Sequence, residues 1–187
     1  MSSIRATEIK KGMTLVIDGD LFQVIEKDHV TPGKGQAVNH VKLKSLATGT
    51  QKQLRLSSSQ TVELAYLEFK KCQYLYKDST GYMFMDEKTY DQFPLSDEVV
   101  GELMGFIKEN ESVSVTFFEE SPVSVDIPSA VVLEVTETEE AVKGNTATNV
   151  TKNATLETGL EVKVPMHIKV GELIKISTED KSFIGRA

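Results

Sequence analysis

The segment Thr31-Pro32-Gly33-Lys34-Gly35-Gln36-Ala37 gathers the residues of this chain with the most chemical consequence. Pro32 fixes its own φ, and Gly33 and Gly35 reach conformations closed to other residues. The pattern predicts a narrow tip with one long cation, Lys34, at its apex. An ammonium on a flexible four-carbon stem is a mobile point charge with three donors. A phosphate-cradling P-loop is excluded. That motif needs a glycine five residues before the glycine that precedes its lysine, and a Ser or Thr after the lysine. Asp28 and Gly35 occupy those positions. Taken locally, the pattern is also that of an ordinary exposed hairpin with a solvated lysine.

Little else in the chain suggests reaction chemistry. No Gly-x-Ser-x-Gly nucleophile elbow exists. The acidic residues between positions 97 and 120 read as one helix and solvated strands, not as a paired-carboxylate site. The expectation is a protein that is not an enzyme. The chain has 3 histidines and 1 cysteine, which gives no zinc-ligand spacing, so no metal and no cofactor are expected. Cys72 alone cannot form an internal disulfide, and a reducing cytoplasm fits. No run of about 18 apolar residues exists to span a membrane. Met1-Ser2-Ser3-Ile4-Arg5 lacks an apolar signal core, so secretion is not expected.

The net charge of −7 argues at first against a nucleic-acid partner, but its distribution matters more. Residues 1–64 carry a net +3, residues 65–128 a net −8 and residues 129–187 a net −2. A phosphate-binding surface is therefore sought in the first third. The acidic middle is expected to face protein, solvent or cations.

Most of the chain reads as strand. Thr14 to Ile17 and Leu21 to Ile25 flank Asp18-Gly19-Asp20, a hairpin signal. Val38 to Leu43 approximates alternation, with Val41 and Leu43 on one face and Lys42 and Lys44 on the other. Ala47-Thr48-Gly49-Thr50 reads as a turn, and Gln51 to Leu56 pairs back. Gln73 to Tyr76 and Tyr82 to Met85 predict a hairpin with aromatic cross-strand pairs around a loop from Lys77 to Gly81. Ser96, as N-cap, opens the best helix signal, with Val99, Leu103, Phe106 and Ile107 at helical spacing. Val113 to Phe117 and Val123 to Ile127 resume strand. Val131 to Val135, Leu160 to Val164 and Val170 to Ile176 complete the series, with Gly144 to Thr155 as a polar loop. Strands at intervals of about 8–12 residues mean small barrels or sandwiches. Modules at 1–64, 65–128 and 129–187 fit better than one large sandwich, and the charge steps support that division.

Pro32 to Ala37, followed by Val41-Lys42-Leu43-Lys44 and Thr48-Gly49, resembles the first-domain signature of the bacterial elongation factor P family. The resemblance continues through Tyr74-Leu75-Tyr76, Phe84-Met85-Asp86 and Thr89-Tyr90-Asp91-Gln92. It resumes at Val142 to Ala147, Ala154 to Gly159, Val162-Lys163-Val164-Pro165 and Gly171-Glu172. Order and spacing are kept over nearly the whole chain.

The resemblance implies an all-β chain of three small β-barrel domains: an SH3-like (KOW-like) first domain and two OB-folds, in an L that mimics tRNA. It implies a translation factor in protein biosynthesis that binds both ribosomal subunits between the P and E sites. There it would act on peptidyl-tRNA at polyproline stalls, as a cytoplasmic monomer. Lys34 stands where the family carries its post-translational modification, so a lysine-modifying enzyme is an implied partner. Lys42 and Lys44 are candidates for tRNA phosphate, or for a merely solvated strand face. Gly144-Asn145-Thr146 matches the loop that approaches the E-site codon of the mRNA, and Arg186 is a further candidate RNA contact. His29 and His40 flank the tip as RNA contacts or as incidental surface residues. The chain departs from the family's usual pattern at Asn145 (usually Asp), Asn153 (usually Pro), Asn39-His40 (usually an aromatic or apolar residue, then Arg) and Phe183 (often Tyr). Two other readings stay open. One is a paralogue with a different stalling-motif preference, and the other is a generic OB-fold protein for single-stranded nucleic acid.

Overall fold

In the computed structural model, which describes residues 2–140 and 150–187, the first third of the chain forms one antiparallel sheet. Its strands are β1 (Ser2–Arg5), β2 (Thr14–Ile17), β3 (Asp20–Val30), β4 (Val38–Ser45), β5 (Gln51–Ser57) and β6 (Thr61–Ala65). They lie in the order β1-β6-β2-β3-β4-β5. Asp18 and Gly19 adopt φ of 54° and 85°, as a tight two-residue hairpin requires, because that turn shares the twist of the strands it joins. Alternation then sorts the side chains. Leu15, Phe22, Val24, Val41, Leu43 and Leu56 are buried in one core, together with Ala6, Ile9 and Val62. Each large apolar side chain so buried contributes about 1.5–3 kcal/mol.

β3 runs further than the sequence pattern predicts. It has 11 residues and stays paired with β4 out to Val30↔Val38, past a bulge between Val24 and Glu26. Asp28, His29 and Val30 have little apolar alternation to announce a strand. The ladder with β4 holds them there.

The second sheet contains β7 (Glu68–Asp78), β8 (Gly81–Asp86), β9 (Gln92–Leu95), β10 (Ser112–Phe118) and β11 (Ser121–Asp126), in the order β11-β10-β7-β8-β9. The expected aromatic pair is present: Tyr74 and Phe84 are cross-strand partners with ring centroids 5.3 Å apart. The connection is shorter than expected, since Lys77 and Asp78 belong to β7.

The helix differs from expectation. α1 covers only Asp97–Val100, and Gly101–Phe106 is a 3-10 segment. Ser96 stands at the N-cap, but its side chain makes no cap hydrogen bond. Gly101 and Gly105 weaken a continuous α-helix, and the tighter winding buries Val100, Met104, Phe106 and Ile107 instead of Val99 and Leu103.

The third sheet has the order β14-β13-β12-β15-β16, from β12 (Ala130–Thr138), β13 (Thr151–Leu156), β14 (Glu161–Pro165), β15 (Leu173–Ser177) and β16 (Phe183–Arg186). β13 lies where a polar loop was expected. Its inward positions are Lys152, Ala154 and Leu156, a set too polar to read as a buried face. Lys152 is nonetheless buried, and its ammonium donates to the Glu139 carbonyl at 2.8 Å. Phe106 packs into this sheet's core beside Leu133, Leu156, Val164 and Ile174.

By compactness the chain divides into two units, 1–70 with 115–124 and 71–114 with 125–187. The first unit holds the six-stranded sheet and the second holds the whole third sheet. The dividing lines fall within β7, β10 and β11.

Candidate functional site

Residues 31–37 form the connection between β3 and β4. Positions 31–36 are all exposed. Among the described residues Lys34 has no hydrogen-bond or ion-pair partner. The two glycines that flank it do different jobs. Gly35 has φ +118°, which only glycine adopts readily. Gly33 has neither a positive φ nor any atom within 4 Å of a Cβ placed on it. The expectation that both glycines supply a special conformation therefore holds for Gly35 alone. Pro32 sits against it, its Cγ 3.9 Å from where a Gly35 Cβ would lie.

Both ends of the connection are held. At its far end the Ala37 carbonyl accepts hydrogen bonds from the Ser58 amide at 3.1 Å and the Ser58 hydroxyl at 3.0 Å. At its near end His29 lies across the ladder from Asn39. His29 Nδ1 is 3.0 Å from Asn39 Oδ1, and His29 Nε2 is 3.2 Å from Thr31 Oγ1. Sequence reasoning gave Ser58 no role and read Asn39 only as a departure. A signal for Asn39 existed: it shares the inward phase of Val41 and Leu43 and is polar.

Lys42 and Lys44 are exposed on the outer face of β4, as the alternation predicts. Their surroundings are less basic than the sequence suggests. Register sets Glu26 beside Lys42 and Asp28 beside His40 on the β3 side, with Gln53 and Arg55 on the β5 side. Glu26, Asp28, His40, Lys42 and Gln53 line a shallow depression of about 400 Å³. The face is thus a narrow basic stripe along β4 with an acidic border.

Of the other candidate residues, Arg186 lies on β16 and is ion-paired with Glu172 at 3.1 Å. Phe183 packs against the third core, which accounts for an aromatic ring there without a hydroxyl. Gly144, Asn145 and Thr146 lie outside the described residues. No group of three or more His, Cys, Asp or Glu among the described residues could hold a metal ion. No helix among them is long and apolar enough to cross a membrane.

Three family models match the chain in order. Residues 5–62 match the elongation factor P KOW-like domain, residues 67–125 its OB domain and residues 131–186 its C-terminal domain. Elongation factor P of Finegoldia magna is 41% identical over 183 residues, covering 98% of this chain and 99% of that protein. Elongation factor P of Alkaliphilus metalliredigens is 44% identical over 183 residues, with the same coverage. The chain belongs to the elongation factor P family. It is a translation elongation factor, and its tip loop lies on the KOW-like domain of that family. Two solved structures share the fold. Eukaryotic translation initiation factor 5A from Methanococcus jannaschii has a TM-score of 0.52 at 21% identity, over 67% of this chain and 94% of that one. A translation initiation factor eIF-5A family protein from Naegleria fowleri has a TM-score of 0.51 at 14% identity, over 67% of this chain and 98% of that one.

Proposed function

We propose that this elongation factor P binds the ribosome between the P and E sites and relieves stalls on consecutive prolines, with Lys34 orienting the acceptor end of peptidyl-tRNA. The carrying observation is an exposed amine, without a hydrogen-bond or ion-pair partner among the described residues, at the end of a β-ribbon whose connection is held at both ends. Proline is a poor nucleophile in peptide transfer, and its ring constrains the nascent chain. A factor that holds the reactants in a near-attack geometry lowers the entropic part of the barrier without supplying acid or base. Such positioning is worth up to about 7–11 kcal/mol in the best-oriented cases. The factor then needs no active site of its own and is not an enzyme.

Lys34 is also the residue that a lysine-modifying enzyme would extend, which lengthens the reach of its amine. Lys42 and Lys44 contact tRNA phosphate along the β4 stripe. Arg186 makes a weaker contact, because Glu172 already offsets its charge. The segment Gly144-Asn145-Thr146 approaches the E-site codon. The factor works in the cytoplasm as a monomer and touches both subunits.

A reconstituted translation assay on a message encoding three consecutive prolines tests the tip. Lys34→Ala reduces the synthesis rate to that without factor and keeps the melting temperature of the wild type. A Lys34→Ala protein that stimulates as well as wild type removes this side chain from the mechanism. Intact mass from the native host, with mapping of peptide 31–37, reports whether Lys34 is extended. A second reading, a paralogue with a shifted motif preference, draws on Asn39 and His40 at the base of the loop. Rates compared across Pro-Pro-X messages separate it from the first.

A further inference from the structure

Asn39 departs from the two inward residues that follow it on β4. The inward positions Val41 and Leu43 are apolar and fully buried. Asn39, in the same phase, is also 0% exposed, yet it carries an amide whose Nδ2 is buried with no hydrogen-bond partner. Its Oδ1 meets His29 Nδ1 at 3.0 Å. With Oδ1 facing the ring, Nδ1 carries the proton and Nε2 accepts from the Thr31 hydroxyl at 3.2 Å. Reversing the amide would pair Nδ2 with Nδ1 and put the ring proton on Nε2, which would then donate to the Thr31 Oγ1. With Oδ1 facing the ring, Nδ2 is left buried and unpaired, which is destabilising, whereas a valine here would bury no polar atom. Local rules of this kind are broken where another requirement overrides them. What the amide does touch is the imidazole, and the imidazole touches the first residue of the tip connection.

That chain of contacts has leverage. Thr31 precedes Pro32, whose φ is fixed, so the orientation at Thr31 sets the direction in which the chain departs toward Lys34. The far end is held separately by Ser58 on Ala37. We propose that Asn39, His29 and Thr31 form a positioning relay that aims the Lys34 amine by transmitting the fixed geometry of the first core to the start of the loop. Asn39 and His29 are positioning residues: they touch neither tRNA nor peptide and act through Lys34. This inference rests on the proposed role of Lys34.

The test uses the full-length factor, Asn39→Val, Thr31→Val and Thr31→Ser, with Lys34→Ala as a control. Long-range proton–nitrogen spectra report the His29 tautomer. Backbone relaxation reports the order of the Gly33, Lys34 and Gly35 amides, and the triple-proline assay gives a saturating rate and a half-saturating factor concentration. In the wild type His29 holds a single tautomer. Asn39→Val melts no lower than wild type, loses that tautomer and loosens the three amides. Its saturating rate falls roughly three- to tenfold, as small misplacements of a positioning group do. Thr31→Val, at an exposed site where folding is not at stake, gives the same loosening and rate loss, and Thr31→Ser restores both. A wild-type His29 that exchanges freely between its two tautomers overturns the relay, because a single fixed tautomer fits either orientation of the Asn39 amide. So do Asn39→Val and Thr31→Val proteins with wild-type amide order and rate while Lys34→Ala loses the rate. If Lys34→Ala keeps the full rate, the reading of the tip fails instead, and tautomer and amide order alone decide whether the relay exists.

Discussion

At the scale of single residues, the tip was largely legible because its composition is unusual. A proline, two glycines and one lysine between strands allow few shapes, and Lys34 is exposed, with no hydrogen-bond or ion-pair partner among the described residues. The sequence could not say which glycine is conformationally required, because φ depends on how the ladder below aims the chain. Gly35 at φ +118° is the required one. Gly35→Ala therefore meets a conformation that costs of order 1–3 kcal/mol for a residue with a Cβ. In an exposed connection the loop relaxes to another path instead of unfolding the sheet. The expected result is a marked loss of triple-proline stimulation with a melting temperature close to wild type. Gly33→Ala has open space and no positive φ, so it should retain most of the stimulation. Equal losses from the two substitutions would contradict this division of labour. Asn39 was missed as a structural residue for a different reason. Its inward phase marked it as a buried polar residue, but only its bond to His29 gives it a role.

At the scale of elements, turn chemistry was readable where it used ordinary turn residues and obscure where it did not. Asp18-Gly19 announced its hairpin. The connection from β10 to β11 did not, because it is made by Glu119 and Glu120, with φ of 48° and 67°. Two glutamates in left-handed conformations are an expensive way to make a tight turn. Replacing Glu120 with Gly relieves one of them, and the two effects of glycine, native ease and unfolded freedom, oppose each other. The expected net gain is about 0.5–1 kcal/mol in chemical denaturation. A loss of stability would mean that the glutamate side chain is needed there. The turn from β7 to β8 shows the reverse case. Gly81 has φ +134°, and a Cβ on it would lie 2.5 Å from the backbone oxygen of Leu95. β9 pairs at that point, Tyr82 opposite Leu95, so the strand cannot move aside without breaking its ladder. Gly81→Ala should destabilise by about 2–4 kcal/mol. Gly159→Ala, with a positive φ but open space, should cost about 1–2 kcal/mol. Thermal or urea unfolding of the two variants measures the difference, and an equal cost would refute the close approach. The helix was overpredicted because Val99, Leu103, Phe106 and Ile107 matched a 3.6-residue period. Gly101 and Gly105 had the last word, and the Gly105 backbone is further fixed by the Thr158 hydroxyl, which donates to its carbonyl at 2.5 Å.

At the scale of the whole molecule, charge sets the acid limit of stability and would set the proposed grip on RNA. Three carboxylates, Asp78 and Asp180 exposed and Glu87 half-buried, are held below the usual range. The Thr80 hydroxyl and then the Thr80 amide do this for Asp78. The Ser112 hydroxyl, ahead of Lys71, does it for Glu87, and the Ser182 and Ser177 hydroxyls do it for Asp180. A lowered folded-state pKa contributes stability that is complete above the unfolded-state value, about 3.9 for Asp and 4.3 for Glu. It is lost as pH falls through the folded-state values. The denaturation midpoint should therefore drop below about pH 4, and Asp78→Asn with Asp180→Asn should make that drop shallower. The proposed grip on RNA would turn on the uneven spread of charge, net +3 over residues 1–64 against net −8 over residues 65–128. If the β4 stripe meets phosphate, neutralising it must change the salt dependence of ribosome binding and not only its strength, because each lysine on phosphate releases about one counterion. Lys42→Gln and Lys44→Gln should each lower the slope of log affinity against log salt by about 1. Glu26→Gln with Asp28→Asn, which removes the acidic border, should tighten binding most at low salt, where repulsion between that border and phosphate is least screened. Neutralising Glu119 and Glu120, in the acidic stretch, should leave the slope alone. If the lysine variants bind with an unchanged slope, the outer face of β4 does not lie on RNA, and the positive charge of the first third must act through Lys34 and its neighbours alone.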